Sequence, residues 1–151
     1  MKHYESESHY FEYVRQISMR SSCLKHPVGV LLVQKGKVVA TAYNRVPYGS
    51  PECSTVGCMR RQYGVSQGER AELCRGLHAE QALITHCLKN NISLEGGIIY
   101  CNRSPCAICA RLLADLNIQA YYFTELRKER LFEEIFQSAG VFYKQEDIED
   151  E

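Results

Sequence analysis

The chain has 151 residues, zero formal net charge and an ordinary globular share of apolar and charged residues, enough for one domain with a real core and too short for two. No basic arm or stripe marks it for a long nucleic acid, and no apolar run approaches the roughly 18 residues of a membrane span. The polar, aromatic start MKHYESESHYFEYV lacks an apolar signal core, so the expectation is a cytoplasmic protein without membrane contact, in which eight cysteines point to metal or catalysis ahead of disulfides.

Tyr10, Val14 and Ile17 recur at helical spacing and predict a short helix over Tyr10–Ser18. PVGVLLVQKGKVVATAYN reads as a hairpin, with strands Val28–Val33 and Val38–Tyr43 joined by a Lys35-Gly36 turn. Both runs are almost continuously apolar, which predicts cover on both faces. Residues 44–75 hold Pro47, Gly49, Pro51, Gly57, Gly64 and Gly68 together with Cys53, Cys58 and Cys74. A loop of this length needs something to organise it, and its cysteines are the candidates.

His78–Leu88 is a predicted helix, with Ala79, Ala82, Leu83 and Cys87 on one side. GGIIYCN follows as a strand. Ser104 and Pro105 then open a helix over Cys106–Leu116, serine as cap and proline at the first position. IQAYYF is a strand, and Glu125–Ser138 is a helix with Leu131, Phe132, Ile135 and Phe136 inward and its charges solvated. GVFYKQ is a last strand before an acidic tail, about 145–151, that is expected to fray. No repeat or linker interrupts this order. It predicts one α/β domain over 1–151, a sheet with helices on both faces.

The chemistry is concentrated in two motifs. SPCAICARL sets Cys106 and Cys109 on one face of a first helical turn, where free N–H groups favour thiolate, the form that binds zinc. Such a pair also fits a thioredoxin-like redox site, but no proline follows Pro105 to stand beside the disulfide. CRGLHAEQALI holds His78 and Glu80 at i and i+2, which lie on nearly opposite faces inside a helix. The two can serve one site if His78 stands at the helix start and Glu80 in its first turn, with Gly76 supporting the turn. Three protein ligands, His78, Cys106 and Cys109, would leave the fourth zinc position open, as catalytic sites do, and Glu80 would carry protons without ligating. The combination H-x-E with P-C-x-x-C marks zinc deaminases of nucleobases.

On SSCLKHPVGVLLV, ATAYN, ELCRGLHAEQALI and IIYCNRSPCAICARLL, from about Arg20 to Val141, the sequence resembles the zinc-dependent cytidine and deoxycytidylate deaminases, most of all the deoxycytidylate (dCMP) deaminases. The resemblance implies a three-layer α/β/α sandwich around a mixed five-stranded sheet. It implies hydrolytic loss of an amino group: zinc-bound hydroxide attacks C4 of the pyrimidine, and Glu80 shuttles the proton to N3 and then to ammonia. Backbone around Ala79, Pro105 and Cys106 would frame the base, and Asn44 would hold the sugar. The family often forms homo-oligomers. The chain departs from the family pattern at Arg45, where glycine usually follows Tyr-Asn, at Ala82, and at Cys101-Asn102.

Four further cysteines, Cys23, Cys53, Cys58 and Cys74, lie in the region where some dCMP deaminases hold a structural zinc. Cys53-x₄-Cys58 has a plausible ligand spacing, and a closed four-cysteine site would pin the long loop to the core. The alternatives are core thiols, or His26 in place of one cysteine. Cys87 and Cys101 read as core. A substrate phosphate could be gripped by Arg20, Lys25, Arg45 or Arg103. The leading reading is a zinc hydrolase acting on a cytosine nucleotide, above all dCMP. Its alternatives are the same chemistry on another nucleoside, nucleotide or base, and a zinc-binding interaction module without catalysis, which would have no need of Glu80.

Overall fold

A computed structural model of the chain describes residues 8–65 and 73–147. Its elements in chain order are α1 (Ser8–Ser18), β1 (Gly29–Gln34), β2 (Lys37–Tyr43), α2 (Cys53–Val56), α3 (Met59–Gln62), α4 (Ala79–Lys89), β3 (Ile98–Arg103), α5 (Ala107–Asp115), β4 (Ala120–Glu125), α6 (Leu131–Ala139) and β5 (Phe142–Gln145). The strands form one mixed sheet in the order β2-β1-β3-β4-β5. β1 runs antiparallel to β2 and β3, while β3, β4 and β5 are parallel. Lys35 and Gly36 make the hairpin turn with positive φ, 51° and 75°.

Period-two alternation sorts the strand residues into two cores. Val30, Leu32, Ile99, Cys101, Tyr121 and Phe123 point to the face covered by α4, α5 and α6, where Leu83, Leu113, Phe132 and Phe136 are fully buried. Leu31, Val33, Ile98, Tyr100 and Tyr122 point to the opposite face, which meets Phe11, Val14 and Ile17 of α1. The three-layer α/β/α sandwich expected from the sequence is therefore present. Among the described residues, no helix is long and apolar enough to cross a membrane.

Several expectations need correction. β2 is an edge strand, and its residues alternate between exposed or half-buried and buried instead of being covered on both faces. The long loop contains two single-turn helices, α2 and α3. The last helix starts at Leu131; Glu125 belongs to β4, so 126–130 is a loop and its charges are not a helix face. Leu131 is 41% exposed, unlike its neighbours Phe132 and Phe136. Cys106, not Ser104, caps α5. The final residues of the acidic tail, 148–151, lie outside the described residues, as do residues 1–7.

α1 crosses β1 at Gly29. A Cβ built there would stand 2.5 Å from the Val14 carbonyl oxygen and 2.8 Å from the Ser18 nitrogen, both backbone atoms that cannot swing aside. Gly29→Ala is expected to cost about 2–3 kcal/mol by overpacking, read as a lower denaturant midpoint with an unchanged slope. An unchanged midpoint would show that α1 rides freely on the sheet.

Candidate metal centre and its cavity

α4 and α5 start at the same place. His78 is the N-cap of α4 with extended backbone (φ −62°, ψ 155°), and Cys106 is the N-cap of α5 (φ −71°, ψ 167°). His78 thus stands outside its helix while Glu80 sits in the first turn, which reconciles their i, i+2 spacing with a shared site. An antiparallel bridge holds the chain before His78: Arg45 N–H donates to the Leu77 carbonyl at 3.2 Å and Leu77 N–H donates to that of Arg45 at 2.6 Å. Gly76 provides room for this bridge, since a Cβ there would lie 3.3 Å from the Arg45 carbonyl oxygen. His78 N–H donates to Gln81 Oε1 at 2.9 Å.

The α5 side is braced from the loop after β4. Arg127 donates its backbone N–H to Ser104 Oγ and its Nε–H to the Ser104 carbonyl, both at 2.8 Å, and Ser104 N–H donates to the Glu125 carbonyl at 2.8 Å. Ser104 therefore ties together the segments that leave β3 and β4. The site lies beyond the carboxyl ends of these parallel strands, where open α/β sheets bind ligands.

His78 Nδ1 lies 3.4 Å from Cys106 Sγ and 3.6 Å from Cys109 Sγ. Among the described residues, these three alone form a group of three or more His, Cys or acidic side chains whose ligand atoms all lie within 4.8 Å of one another. Zinc bonds of about 2.3 Å to sulfur and about 2.0–2.1 Å to nitrogen, opened to tetrahedral angles, require an S···N edge of about 3.5 Å. The donor set and its spacing fit that ion. The hydrogen bond with Cys109 pulls the Cys106 thiol down to about 3, burial opposes this and His78 assists it, while the same Cys109 bond and burial hold Cys109 up. Cys106 is thus the first of the pair to ionise.

Glu80 is 2% exposed. Burial pushes its carboxyl up, Arg127 and then His78 pull it back, and Cys106 adds to the rise. A cavity of about 1160 Å³ opens over His78, Glu80 and Cys106. Its wall is basic: Arg60, Arg103, Arg111, Arg127 and Lys128 line it, against Glu125 and Glu129. Among the described residues, Arg103 Nε is a buried donor with no hydrogen-bond partner. Burial and then Arg127 depress the Arg103 guanidinium, partly offset by Glu125.

Of the residues expected to hold substrate, Asn44 and Ala79 line the cavity. The Asn44 carboxamide already braces the start of β1, accepting from Val28 N–H at 2.8 Å and donating to the His26 carbonyl at 2.7 Å. Pro105 is buried and does not line the cavity. Arg20, Lys25 and Arg45 do not line it either. Arg20 is exposed past the end of α1. Lys25 stands near Cys58, whose thiol burial raises and the Arg61 and Arg60 backbone, then the Lys25 charge, lower. The Arg45 guanidinium lies over the Tyr48 ring, 4.0 Å from its centroid.

Arg103 alone of the four expected phosphate contacts lines the cavity; Arg60, Arg111, Arg127 and Lys128 were not singled out in the sequence. For Arg127 and Lys128 the missed signal was their place just after a strand of the parallel half of the sheet.

All eight cysteines are unbridged. Cys87 and Cys101 are fully buried in the core, as expected. Cys23, Cys53, Cys58 and Cys74 do not reach mutual ligand distance among the described residues. They are still neighbours, because after burial the charges of Cys74, Cys23 and Cys58 raise the Cys53 thiol.

Residues 4–125 match the model of the cytidine and deoxycytidylate deaminase zinc-binding region. A deoxycytidylate deaminase of Schizosaccharomyces pombe is 31% identical over 140 residues, 92% of this chain and 43% of the relative. That of Mycobacterium phage D29 is 34% identical over 107 residues, 68% of this chain and 80% of the relative. The chain spans less than half the length of the S. pombe relative and of a deoxycytidylate deaminase of Saccharomyces cerevisiae, 43% and 44%. In fold it is similar to the dCMP deaminase of cyanophage S-TIM5, solved with dCMP and dUMP, at a TM-score of 0.79 and 24% identity over 97% of this chain and 99% of that one. With the family model matched across both motifs that meet at the cavity, the chain belongs to the cytidine and deoxycytidylate deaminase family.

Proposed function

We propose that this chain is one deaminase domain, a zinc-dependent hydrolase that converts dCMP to dUMP and ammonia. The observation that carries the reading is the meeting of His78, Cys106 and Cys109 beside a buried Glu80, where His78, Glu80 and Cys106 line one basic cavity. The relatives named deoxycytidylate deaminase support the choice of substrate.

His78, Cys106 and Cys109 would hold the zinc, and Glu80 stays outside the ligand set. When bound, zinc supplies a Lewis acid that makes water a nucleophile near neutral pH. Glu80 takes the proton of the attacking water, delivers it to N3 of the cytosine ring and assists the departure of the C4 amino group as ammonia. Its burial keeps competing water from that transfer. Ala79 and the backbone at the start of α5 frame the ring, and Asn44 stands at the sugar. The basic wall favours a phosphate monoester over a bare nucleoside, and Arg103 carries the unsatisfied donor such a group would accept from.

A second zinc, structural and held by Cys23, Cys53, Cys58 and Cys74, belongs to the same reading. Its support is the rise of the Cys53 thiol that Cys74, Cys23 and Cys58 add to that of burial, and the need to anchor a long, glycine-rich loop. Exposed Ile108 and Leu131 at the cavity wall support a homo-oligomer in which a neighbouring copy helps to close the site.

Elemental analysis is expected to find about two zinc ions per chain; none would refute the function. Glu80→Gln is expected to keep the zinc and lose roughly 10²- to 10⁴-fold in ammonia release from dCMP, whereas Cys106→Ser loses the catalytic zinc and the turnover together. Activity of Glu80→Gln equal to wild type would rule out the mechanism. Arg103→Ala is expected to raise KM for dCMP about 10- to 100-fold, the worth of one charge-assisted hydrogen bond, and to leave deoxycytidine turnover within about threefold. Equal losses on both substrates would move the phosphate away from Arg103.

A further inference from the structure

Behind Glu80 lies a buried hydroxyl that the deamination steps do not use, that of Tyr121. Tyr121 of β4 is fully buried on the sheet face toward α4 and α5. Its hydroxyl is 3.2 Å from Glu80 Oε2 and 2.9 Å from the Arg103 carbonyl oxygen. The thiol of Cys101 is close by, raised to about 12 by burial and then Glu80 and partly lowered by Tyr121. A tyrosine hydroxyl has one proton and can accept as well as donate. Glu80 Oε2 and the Arg103 carbonyl oxygen are both acceptors placed to share the one Tyr121 proton.

The terminal torsion of a glutamate joins sp³ to sp² carbon and has broad wells, so rotamer preference does not fix the plane of the carboxylate. In water that freedom would be harmless. At Glu80, buried at 2% exposure, few partners remain to set the plane, and a proton carrier must face both its donor and its acceptor within hydrogen-bond reach.

We infer that Tyr121 is the positioning residue for Glu80: its hydroxyl tethers Oε2 from inside the core and sets the plane of the carboxylate, leaving Oε1 to work toward the cavity. The tether comes from the rigid centre of the sheet. Tyr121 pairs with Ile99 in the parallel register of β3 and β4, and its ring packs against Phe123 and Phe136 with centroids at 6.2 and 5.8 Å. Tyr121 never touches the substrate and acts only through Glu80. The inference rests on Glu80 being the proton carrier.

The test is Tyr121→Phe, which keeps the ring and removes one oxygen. It is measured beside wild type, Glu80→Gln and Cys101→Ala, all zinc-loaded and assayed on dCMP. The expected result is a kcat about 10- to 100-fold lower, the worth of a hydrogen bond to a charged group, with KM within about twofold and zinc content unchanged. Cys101→Ala, which leaves the Tyr121–Glu80 contact in place, stays within about threefold of wild type. A second readout does not depend on turnover: the infrared carboxylate band of Glu80, taken as the wild-type minus Glu80→Gln difference, shifts in Tyr121→Phe. An unchanged kcat or an unchanged band overturns the assignment. So does loss of zinc or of folding in Tyr121→Phe, which would make the hydroxyl a structural brace. Wild type inert on every cytosine nucleotide would refute the deaminase reading instead, and is distinguishable because the carboxylate band is still read.

Discussion

The site depends on two helices beginning at one point. An α-helix leaves its first N–H groups unpaired and its start electropositive, so a helix N-terminus is a poor place for a cation and a good one for thiolates and a carboxylate. Here the starts of α4 and α5 supply Glu80 and the Cys106–Cys109 pair, and His78 stands at the junction. The rest of the fold serves this convergence. The Arg45–Leu77 bridge aims α4 from the end of β2, and Ser104 with Arg127 aims α5 from the ends of β3 and β4.

Placing so many ionisable groups together is costly unless each is countered. Burial alone would drive Glu80 toward its neutral form, while Arg127 and His78 hold it toward ionisation. A base that must both accept and return a proton is best held near such a balance. The same Arg127 that pulls on Glu80 also ties down Ser104, so one side chain serves the electrostatics and the geometry of the centre.

Much of this could be read from residues alone. The apolar periodicities located α1, the hairpin, α4 and the parallel strands, because each buries a stripe of fixed spacing. The pairing of HAE with PCAIC pointed to the centre because i, i+2 makes sense only at a helix start. What could not be read were distances set by tertiary packing. Ser104 looked like a helix cap by type, yet its hydroxyl serves the neighbouring loop. Leu126–Arg130 looked helical because charge patterning does not reveal that β4 has just ended. Arg45 reads as a phosphate contact by position, and no local pattern shows that its guanidinium lies over the Tyr48 ring. Tyr121 looked like any strand residue, since nothing local shows which inward-facing tyrosine will meet a carboxylate.

The start of β1 is held from two directions by two carboxamides. Asn44 grips Val28 and His26, and Asn102 accepts from Gly29 N–H at 3.0 Å and donates to the Pro27 carbonyl at 3.0 Å. The segment between the first helix and the sheet is thus clamped by one residue from β3 and one that follows β2. Asn44 also lines the cavity, where the proposed function puts the sugar. Under that proposal a change at Asn44 acts as two mutations at once, one on a ligand contact and one on a clamp, and Asn102 is the internal control that separates them.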